Sequence, residues 1–415
     1  MITVINRLYP DHLAVIARTS VLRYQRGGAN VAQVGRDLKV DYVVEGGVQA
    51  DHGQTRITAR LIRVKDQTSL WNGTYNRELG ELMTVQAEIA SAIAQGIERS
   101  LRPDPQVSAA LARPVKAEAR SAYLRGDYAK AVKLDPTYAA AFTSLALDAY
   151  IGGLFGLRPP GEAFTSTLQA ASRALELDPT QASAHGSLAL AKIHMQWDWS
   201  EAEQGFRRAL RLDPSDGDVR HLFGHFLLWA GQPEESAREC RLGLEVDPFN
   251  AGNISCLGWH ELCAGHEDRA LEETRRALAL DPNDGWGLLT LGWIYEQKGM
   301  YSEALAAQRR SEDTTIRSAS LAHVFARSGD RRAAENILGE LLAQSKTKYV
   351  SAYDIAVAYG GLDDRDKTFD WLNRAYEEHA GYLAFFGGDP RFKQLRSDRR
   401  FQDLLRRMRF PNQQV

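Results

Sequence analysis

A cysteine–histidine–cysteine set is the most metal-like arrangement in this sequence. Cys256, His260 and Cys263 are spaced i, i+4 and i+7, so on a helix their side chains share one face. Zinc prefers thiolate and imidazole ligands, and His266 could supply a fourth. Structural zinc sites, however, usually pair their ligands across a tight turn, which is absent between these residues. We therefore regard the set as a weak candidate, expect no metal or other cofactor, and interpret the two cysteines as small buried apolar residues.

No other group of side chains has a persuasive catalytic pattern. The sequence lacks a phosphate-binding Gly-rich loop with Lys-Ser/Thr, a Gly-x-Ser-x-Gly elbow and a kinase-type His-Arg-Asp. Asp213, Asp216 and Asp218 partly match a calcium loop but lack its spaced glutamate, which favours a solvated turn between helices. The polar residues that could form an active site near the N-terminus are scattered: Arg18, Glu45, Asp51 and Arg60. These patterns predict that the protein is not an enzyme.

The composition is that of a globular protein without a dominant charge. The chain has 415 residues, of which 51 are basic and 53 acidic, and a formal net charge of −2. This length suggests about two or three domains, and the charge argues against electrostatically dominated binding to nucleic acid or membranes. Three cysteines imply no disulfide framework. The longest apolar stretch, 138–157, has Asp148 in its middle, so a packed helix is favoured over a membrane span.

An Asp-Pro dipeptide recurs along the chain at intervals near 34 residues. Its aspartates stand at 135, 178, 213, 247 and 281, so the intervals are 43, 35, 34 and 34 residues. Each dipeptide is expected to end one helix and begin the next, because proline disfavours helical geometry before it and is tolerated in a first turn. Small residues such as Gly258 and Gly292 stand where two helices would cross closely. The longer first interval, which contains Pro159 and Pro160, predicts a protruding loop over 152–161.

The repeated unit resembles the tetratricopeptide repeat (TPR). The Leu-Gly pairs at 257–258 and 291–292, the aromatic Tyr295, the small residue at the helix crossing and the closing proline match the family pattern. The resemblance implies a mainly α fold: a right-handed superhelix of helix–turn–helix units, with about six usable repeats between Ala139 and Tyr382. The unit at 126–135 has a shortened second helix, so we expect it to form a junction and not a full repeat.

In such a solenoid the first helix of each unit lines the concave surface. By the family pattern, the positions that face this groove are rich in tryptophan and histidine and lack the Lys/Arg clamp of the chaperone-binding members. Exposed aromatic side chains there favour binding of a peptide or apolar partner, although the tryptophans could instead fill gaps between helices. The predicted partner-binding residues are His221, His225, Trp229, Trp259, Trp286, Leu289, Trp293, His323 and Arg327, with Leu228, Ser255, Leu262, Cys263, Glu296 and Gln297 at the remaining groove positions.

The first hundred residues have a different pattern. Predicted elements are a short strand at 13–17, a helix at 31–38, strands at 42–48, 55–64 and 70–77, and an amphipathic helix at 83–101. In the middle strand Ile57, Ala59 and Leu61 alternate with polar residues, as a sheet with one solvated face requires. This pattern indicates a small α/β domain.

Several segments of this region resemble a TolB-like domain. They are V-I-A-R-T-S-V-L-R-Y at 15–24, the run at 31–48, I-T-A-R-L-I at 57–62 and L-W-N-G-T-Y-N-R-E-L at 70–79. In relatives this domain precedes TPR repeats in bacterial signalling proteins and follows a winged-helix, nucleotide cyclase or kinase domain, often with a membrane span between. Segment 386–408 is similar to the tail of such proteins. The resemblance implies the sensor half of such a regulator, beginning inside the domain.

These patterns divide the chain into four parts. They are a TolB-like α/β domain at 1–101, a linker and truncated first repeat at 102–138, a TPR solenoid at 139–382, and capping helices at 383–415. The last part has eight basic residues between Arg391 and Arg409. We interpret them as the solvated face of a terminal cap, with a nucleic-acid or partner-docking tail as the alternative.

The expected function is a non-catalytic scaffold that binds another protein or peptide in bacterial signalling or transcriptional regulation. No direct nucleic-acid binding and no membrane span are expected, and the compartment would be the cytoplasm. The alternative is the ligand-sensing half of a membrane-anchored regulator or nucleotide cyclase, which would place the chain in the periplasm. An enzyme active site in the α/β domain is the third interpretation.

Overall fold

Two regions with separate hydrophobic cores form the part of the chain that the structure describes. The computed structural model describes residues 2–9, 13–24, 30–51, 54–78, 82–97 and 113–411. The N-terminal core contains Leu8, Leu61 and Ile89, whereas the largest core of the helical region extends from Tyr150 to Met408.

The N-terminal region is an antiparallel sheet with helices packed on one face. Its elements are α1 Ile2–Leu8, α2 Arg18–Leu22, α3 Val31–Leu38, β1 Tyr42–Asp51, β2 Gln54–Arg63, β3 Ser69–Glu78 and α4 Leu82–Ile97. The strands pair in the order β1-β2-β3. Ala59 and Leu61 of β2 are buried in a core shared with α1 and α4, whereas Thr58 and Arg60 are exposed. The three predicted strands and their alternation are therefore confirmed.

The predicted strand at 13–17 is wrong. This segment is irregular and leads directly into α2. Its backbone groups have partners outside the sheet: the Val15 amide donates to the Asn6 side chain at 3.1 Å, and the Ala17 amide donates to the Val246 carbonyl at 2.7 Å. An apolar run alone does not distinguish a buried strand from a segment that docks on another part of the chain.

Eight helix pairs follow between Ala117 and Glu377. They are pair 1 (Ala117–Leu124, Tyr128–Leu134), pair 2 (Ala139–Leu154, Pro160–Leu177), pair 3 (Ala182–Gln196, Trp199–Leu212), pair 4 (Gly217–Trp229, Pro233–Val246), pair 5 (Ala251–Cys263, Glu267–Leu280), pair 6 (Gly285–Gln297, Tyr301–Arg309), pair 7 (Thr315–Arg327, Arg331–Gln344) and pair 8 (Ala352–Gly361, Arg365–Glu377). Pair 1 has helices of only 8 and 7 residues. The remaining seven pairs form the predicted solenoid, for which the sequence indicates about six.

The Asp-Pro turns end helices as predicted but do not begin them. In the turn between pairs 3 and 4, the helix ends at Leu212 and Asp213 is its extended cap. Pro214 lies in the turn, and the next helix begins three residues later at Gly217. The Asp213 carboxylate accepts hydrogen bonds from the amide and hydroxyl of Ser215 at 3.1 and 3.0 Å. The aspartate therefore holds the turn, while the proline stops the preceding helix.

The loop predicted over 152–161 is shorter than expected, because only residues 155–159 lie between the two helices. The helices of pair 2 have 16 and 18 residues, so most of the additional chain lengthens them. Pro160 is buried at the start of the second helix, a position where its missing N–H is tolerated. The apolar stretch around Asp148 is thus a solenoid helix, and within the described ranges no helix has the length and hydropathy needed to cross a membrane.

The C-terminal segment returns to the beginning of the solenoid. After pair 8 the chain forms two 3₁₀ turns, Gly381–Phe385 and Pro390–Leu395, and a final helix, Arg399–Arg407. The Trp199 indole Nε1 donates to the Met408 carbonyl at 2.8 Å. Trp197 stacks on Tyr376 with ring centroids 5.9 Å apart. Pair 3 is thus in contact with pair 8 and the residues after it.

Candidate functional site

Four rings form a continuous row along the first helices of pairs 4, 5 and 6. The His225 and Trp259 ring centroids are 5.6 Å apart, those of Trp259 and Trp286 5.4 Å, and those of Trp286 and Trp293 5.3 Å. Stacked repeats place equivalent positions of successive units side by side. The structure therefore brings together four of the residues that the sequence predicts for the groove.

Segment 381–391, which we call the docked segment, covers this row. The Phe385 ring lies 4.8 Å from Trp259, Tyr382 stacks on Trp286 at 6.0 Å, and the Arg391 guanidinium lies 5.4 Å from the Trp293 ring centroid. Trp259 is only 3% exposed and Trp293 7%. A cavity of 20 Å³ is left between the segment and the groove, which is room for about one water molecule. The expectation of exposed tryptophans is therefore wrong for Trp259 and Trp293, because the chain itself occupies the concave surface, whereas Trp286 stays partly exposed.

The other predicted groove residues fall into two groups. Trp229, Leu289 and His323 are buried. His323 Nδ1 lies 2.5 Å from Glu296 Oε1, and the Trp229 ring lies edge-on to His194 at 5.5 Å. Of the two remaining predicted partner-binding residues, His221 is partly exposed and Arg327 is exposed.

A hydrogen bond from pair 8 to the buried carboxylate of Asp389 anchors the docked segment. Arg391 Nη2 lies 2.7 Å from Asp389 Oδ2, and the Tyr353 hydroxyl of pair 8 donates to the same oxygen at 2.7 Å. Burial raises the pKa of Asp389, but the Arg391 guanidinium and these hydrogen bonds more than offset it and hold the pKa below its usual value. The hydrogen bond from Tyr353 to the Asp389 carboxylate therefore holds the segment in addition to the aromatic contacts, whereas the Asp389–Arg391 ion pair lies within the segment.

Sequence reasoning missed the docked segment because it assigns residues 383–415 to a cap. The available signal is the run Tyr-Leu-Ala-Phe-Phe at 382–386, which has too many apolar residues for a solvated connection. The final helix does bury its apolar stripe, including Phe401, Leu404 and Leu405, as a cap requires.

A hydrogen-bonded chain of three histidines lies beside the aromatic row. His221 Nε2 is 3.1 Å from His225 Nε2, and His225 Nδ1 is 3.3 Å from His260 Nε2. His260 Nδ1 is 2.7 Å from the Ser236 hydroxyl and 3.3 Å from the Cys240 sulfur. Burial lowers the pKa of His221 to about 4, and it holds the pKa values of His225 and His260 well below their usual value.

The structure does not bring Cys256, His260 and Cys263 together as ligands for one ion. Both ring nitrogens of His260 already have partners, and Cys263 is not grouped with Cys256. In the part of the chain that the structure describes, the ligand atoms that do converge are those of His221, His225 and Cys256, all within 4.8 Å of one another.

Three of the remaining polar candidates have structural roles. Arg60 and Glu45 form an ion pair of 2.5 Å across β1 and β2, with both side chains about half exposed. Asp216, from the calcium-like run, accepts from the Val219 amide at 3.0 Å and so caps the first helix of pair 4. Neither arrangement includes a base beside a nucleophile.

A family comparison agrees with this architecture. Residues 274–306, which extend from the second helix of pair 5 into that of pair 6, match the sequence model of the tetratricopeptide repeat. The chain folds as a TPR solenoid. Proteins with TPR repeats bind other proteins or peptides, and their solenoids are typically non-enzymatic scaffolds.

Known proteins are similar to parts of this TPR chain. A protein of Rhizobium meliloti (strain 1021) whose name describes an adenylate cyclase is 29% identical over 152 residues, which cover 32% of this chain and 26% of that protein. The chain thus spans about a quarter of that relative. Among solved structures, Pseudomonas aeruginosa PilF is 21% identical with a TM-score of 0.36, covering 50% of this chain and 95% of PilF. A TPR protein of Parabacteroides merdae is 13% identical with a TM-score of 0.43, covering 65% and 98% of the two chains.

Proposed function

We propose that this protein is a non-catalytic scaffold in bacterial signalling that binds a partner peptide in the concave groove of pairs 4 to 6. One observation carries the proposal: the row formed by His225, Trp259, Trp286 and Trp293 already holds a peptide segment, which belongs to the chain itself. A surface that binds an extended aromatic segment in cis has the chemistry to bind a similar segment from a partner.

The docked segment indicates which partner chemistry the groove recognises. It presents two aromatic side chains, Tyr382 and Phe385, to two tryptophans, and the Arg391 guanidinium to a third. Buried aromatic and arginine anchors are the side chains that contribute most to binding energy in protein interfaces. The partner is therefore a peptide with two aromatic residues followed by an arginine, and it competes with the docked segment.

The competition between the docked segment and an added peptide can be measured as a change in peptide affinity. We would weaken the docked segment in the full chain with Tyr382→Ala and Phe385→Ala, and titrate a fluorescent peptide of residues 379–394. The double variant should bind the peptide at least about tenfold more tightly than the wild type, whose own segment occupies the groove. Adding Trp259→Ala should remove this binding, because Trp259 supplies the surface on which Phe385 packs.

The control is the same peptide with Tyr382 and Phe385 replaced by alanine, which should not bind. Circular dichroism of each variant checks that the solenoid remains folded. Absence of peptide binding to the folded double variant, or binding that survives Trp259→Ala, would show that the groove is not a peptide site.

A second candidate function is the sensory part of a larger regulator. It is supported by the similarity to part of the cyclase-named protein of Rhizobium meliloti and by the TolB-like resemblance of the N-terminal region. In this case the N-terminal domain binds a small molecule and relays its presence to the solenoid. Ser20 of this domain accepts a hydrogen bond from the Phe249 amide of the solenoid at 3.1 Å. A ligand that raises the melting temperature without changing hydrogen exchange at this amide would argue against such a relay.

A further inference from the structure

Two histidines and a cysteine converge where the first helices of pairs 4 and 5 meet. His221 and His225 are one turn apart on the first of these helices, and Cys256 is on the second. Their ligand atoms all lie within 4.8 Å of one another. Two nitrogen ligands of a tetrahedral zinc ion lie about 3.3 Å apart, and the Nε2 atoms of His221 and His225 are 3.1 Å apart.

The hydrogen bonds behind His225 assign its tautomer. The Ser236 hydroxyl donates to the Gly224 carbonyl at 2.8 Å, so it accepts a hydrogen bond from His260 Nδ1. His260 Nε2 then carries no proton and accepts from His225 Nδ1. His225 Nε2 is consequently left with a free lone pair directed at His221. A ligand histidine oriented through its other nitrogen is the usual arrangement in metal sites.

A second observation concerns His221. Its Nδ1 is buried and has no hydrogen-bond partner among the described residues. In the metal-free chain His221 Nε2 must donate to His225 Nε2, which leaves Nδ1 unprotonated and unsatisfied. If the proton moves to Nδ1, both Nε2 lone pairs become available to one ion. The unsatisfied Nδ1 is thus on the same imidazole whose Nε2 faces His225.

We propose that His221, His225 and Cys256 bind one zinc ion on the concave surface. Two imidazoles and a thiolate bind zinc in preference to magnesium or calcium. Three protein ligands leave a fourth position for water or an incoming side chain. Binding forms the zinc–sulfur bond as the thiol proton of Cys256 is released to solvent. The ion would link pairs 4 and 5 beside the docked segment. This site does not depend on the proposed peptide binding.

Cobalt(II) is the probe for this site, because it takes zinc positions and is coloured. The full chain, without a histidine tag and freed of metal by a chelator, should take up one equivalent of Co²⁺. A thiolate-to-cobalt charge-transfer band should appear, together with the visible bands of tetrahedral cobalt, and zinc should displace both.

Two cysteine variants on the same helix make a matched pair. Cys256→Ser should abolish the charge-transfer band, whereas Cys263→Ser, which removes a thiol outside the cluster, should keep it. His221→Gln should weaken cobalt binding at least about tenfold while leaving the thiolate in place. His221→Gln also tests the site if circular dichroism shows that Cys256→Ser does not fold.

Three results would overturn the proposal. They are a wild-type chain that shows no thiolate band with Co²⁺, a band that persists in folded Cys256→Ser, and a band that is lost in Cys263→Ser. Peptide binding to the groove can fail while cobalt binding succeeds, so the two proposals are tested separately.

Discussion

Single glycines set how closely the two helices of a pair approach each other. A Cβ atom on Gly224 would lie 2.5 Å from the Cys240 sulfur, and one on Gly258 would overlap the Thr274 hydroxyl and lie 3.2 Å from the Ala270 carbonyl oxygen. Real Cβ atoms do not approach other atoms so closely, so glycine is required at these positions. The spacing of small residues in the sequence predicts this crossing, and the structure places them there.

We expect Gly258→Ala to lower the free energy of unfolding by about 1–3 kcal/mol, because the methyl group forces the second helix of pair 5 outward. Gly339→Ala is the matched control. Gly339 is also inside a helix, but nothing lies within 4 Å of the added Cβ. There the change should raise the free energy of unfolding by about 0.5–1 kcal/mol, since alanine is the better helix former. Urea denaturation measures both, and two effects of the same sign would contradict the crossing argument.

At the scale of elements, the five Asp-Pro turns differ in what completes them: two of them, at Asp247 and Asp281, lack the hydroxyl that completes the other three. In the turns at Asp135, Asp178 and Asp213 the residue two positions later is Thr or Ser, and its hydroxyl donates to the aspartate. After Asp247 this position is Phe249, which has no hydroxyl. Ser20 of α2 supplies the missing group: it donates to Asp247 at 2.6 Å and accepts from the Phe249 amide at 3.1 Å. The N-terminal region is thus attached to the solenoid at a turn that lacks its own hydroxyl.

Ser20→Ala should therefore leave the Phe249 amide without its acceptor, while Thr19 still donates to Asp247. We expect hydrogen exchange at the Phe249 amide to become at least about tenfold faster, because its hydrogen-bond acceptor is removed. Ser215→Ala, which removes the equivalent hydroxyl within the solenoid, should leave the Phe249 amide as protected as in the wild type. Mass spectrometry of the peptide containing Phe249 reads out both variants. Equal exchange in Ser20→Ala and wild type would mean that the attachment is not maintained in solution.

Elements formed by contacts between near neighbours are predictable from this sequence, whereas those formed by distant contacts are not. Helix pairs, their period and the glycine crossings follow from contacts between near neighbours, and these leave a regular mark in the sequence. The docked segment and the strand wrongly predicted at 13–17 depend on contacts between distant parts of the chain. Ser20 and Asp247 are 227 residues apart, and Trp199 and Met408 are 209 apart. Such pairings follow no period, so the groove residues were predictable as a group but their burial was not.

At the scale of the whole molecule, the solenoid is closed on itself. In an open repeat protein each unit contacts only its neighbours, and stability is a sum of local contributions. Here Trp199 of pair 3 packs on Phe226 of pair 4 and also on Phe410, 4.9 Å away at the end of the described chain. His379, just after pair 8, donates through Nδ1 to the His194 carbonyl of pair 3 at 2.6 Å. These contacts couple the unfolding of pair 3 to that of pair 8.

Trp199→Ala should break this coupling. The loss of a buried indole removes about 3–5 kcal/mol of packing, and the Met408 carbonyl also loses its donor. We expect the wild type to unfold in urea in one cooperative transition for pairs 3 to 8, and the variant to unfold in two. In the variant, the residues after pair 8 should exchange their amide hydrogens first. Trp371→Ala is the control, because Trp371 is partly exposed and its ring lies under Arg374 of its own helix at 4.8 Å. It should leave a single transition. A single transition in Trp199→Ala, shifted to lower urea without change of slope, would instead mean that the closing contacts add stability without carrying cooperativity around the molecule.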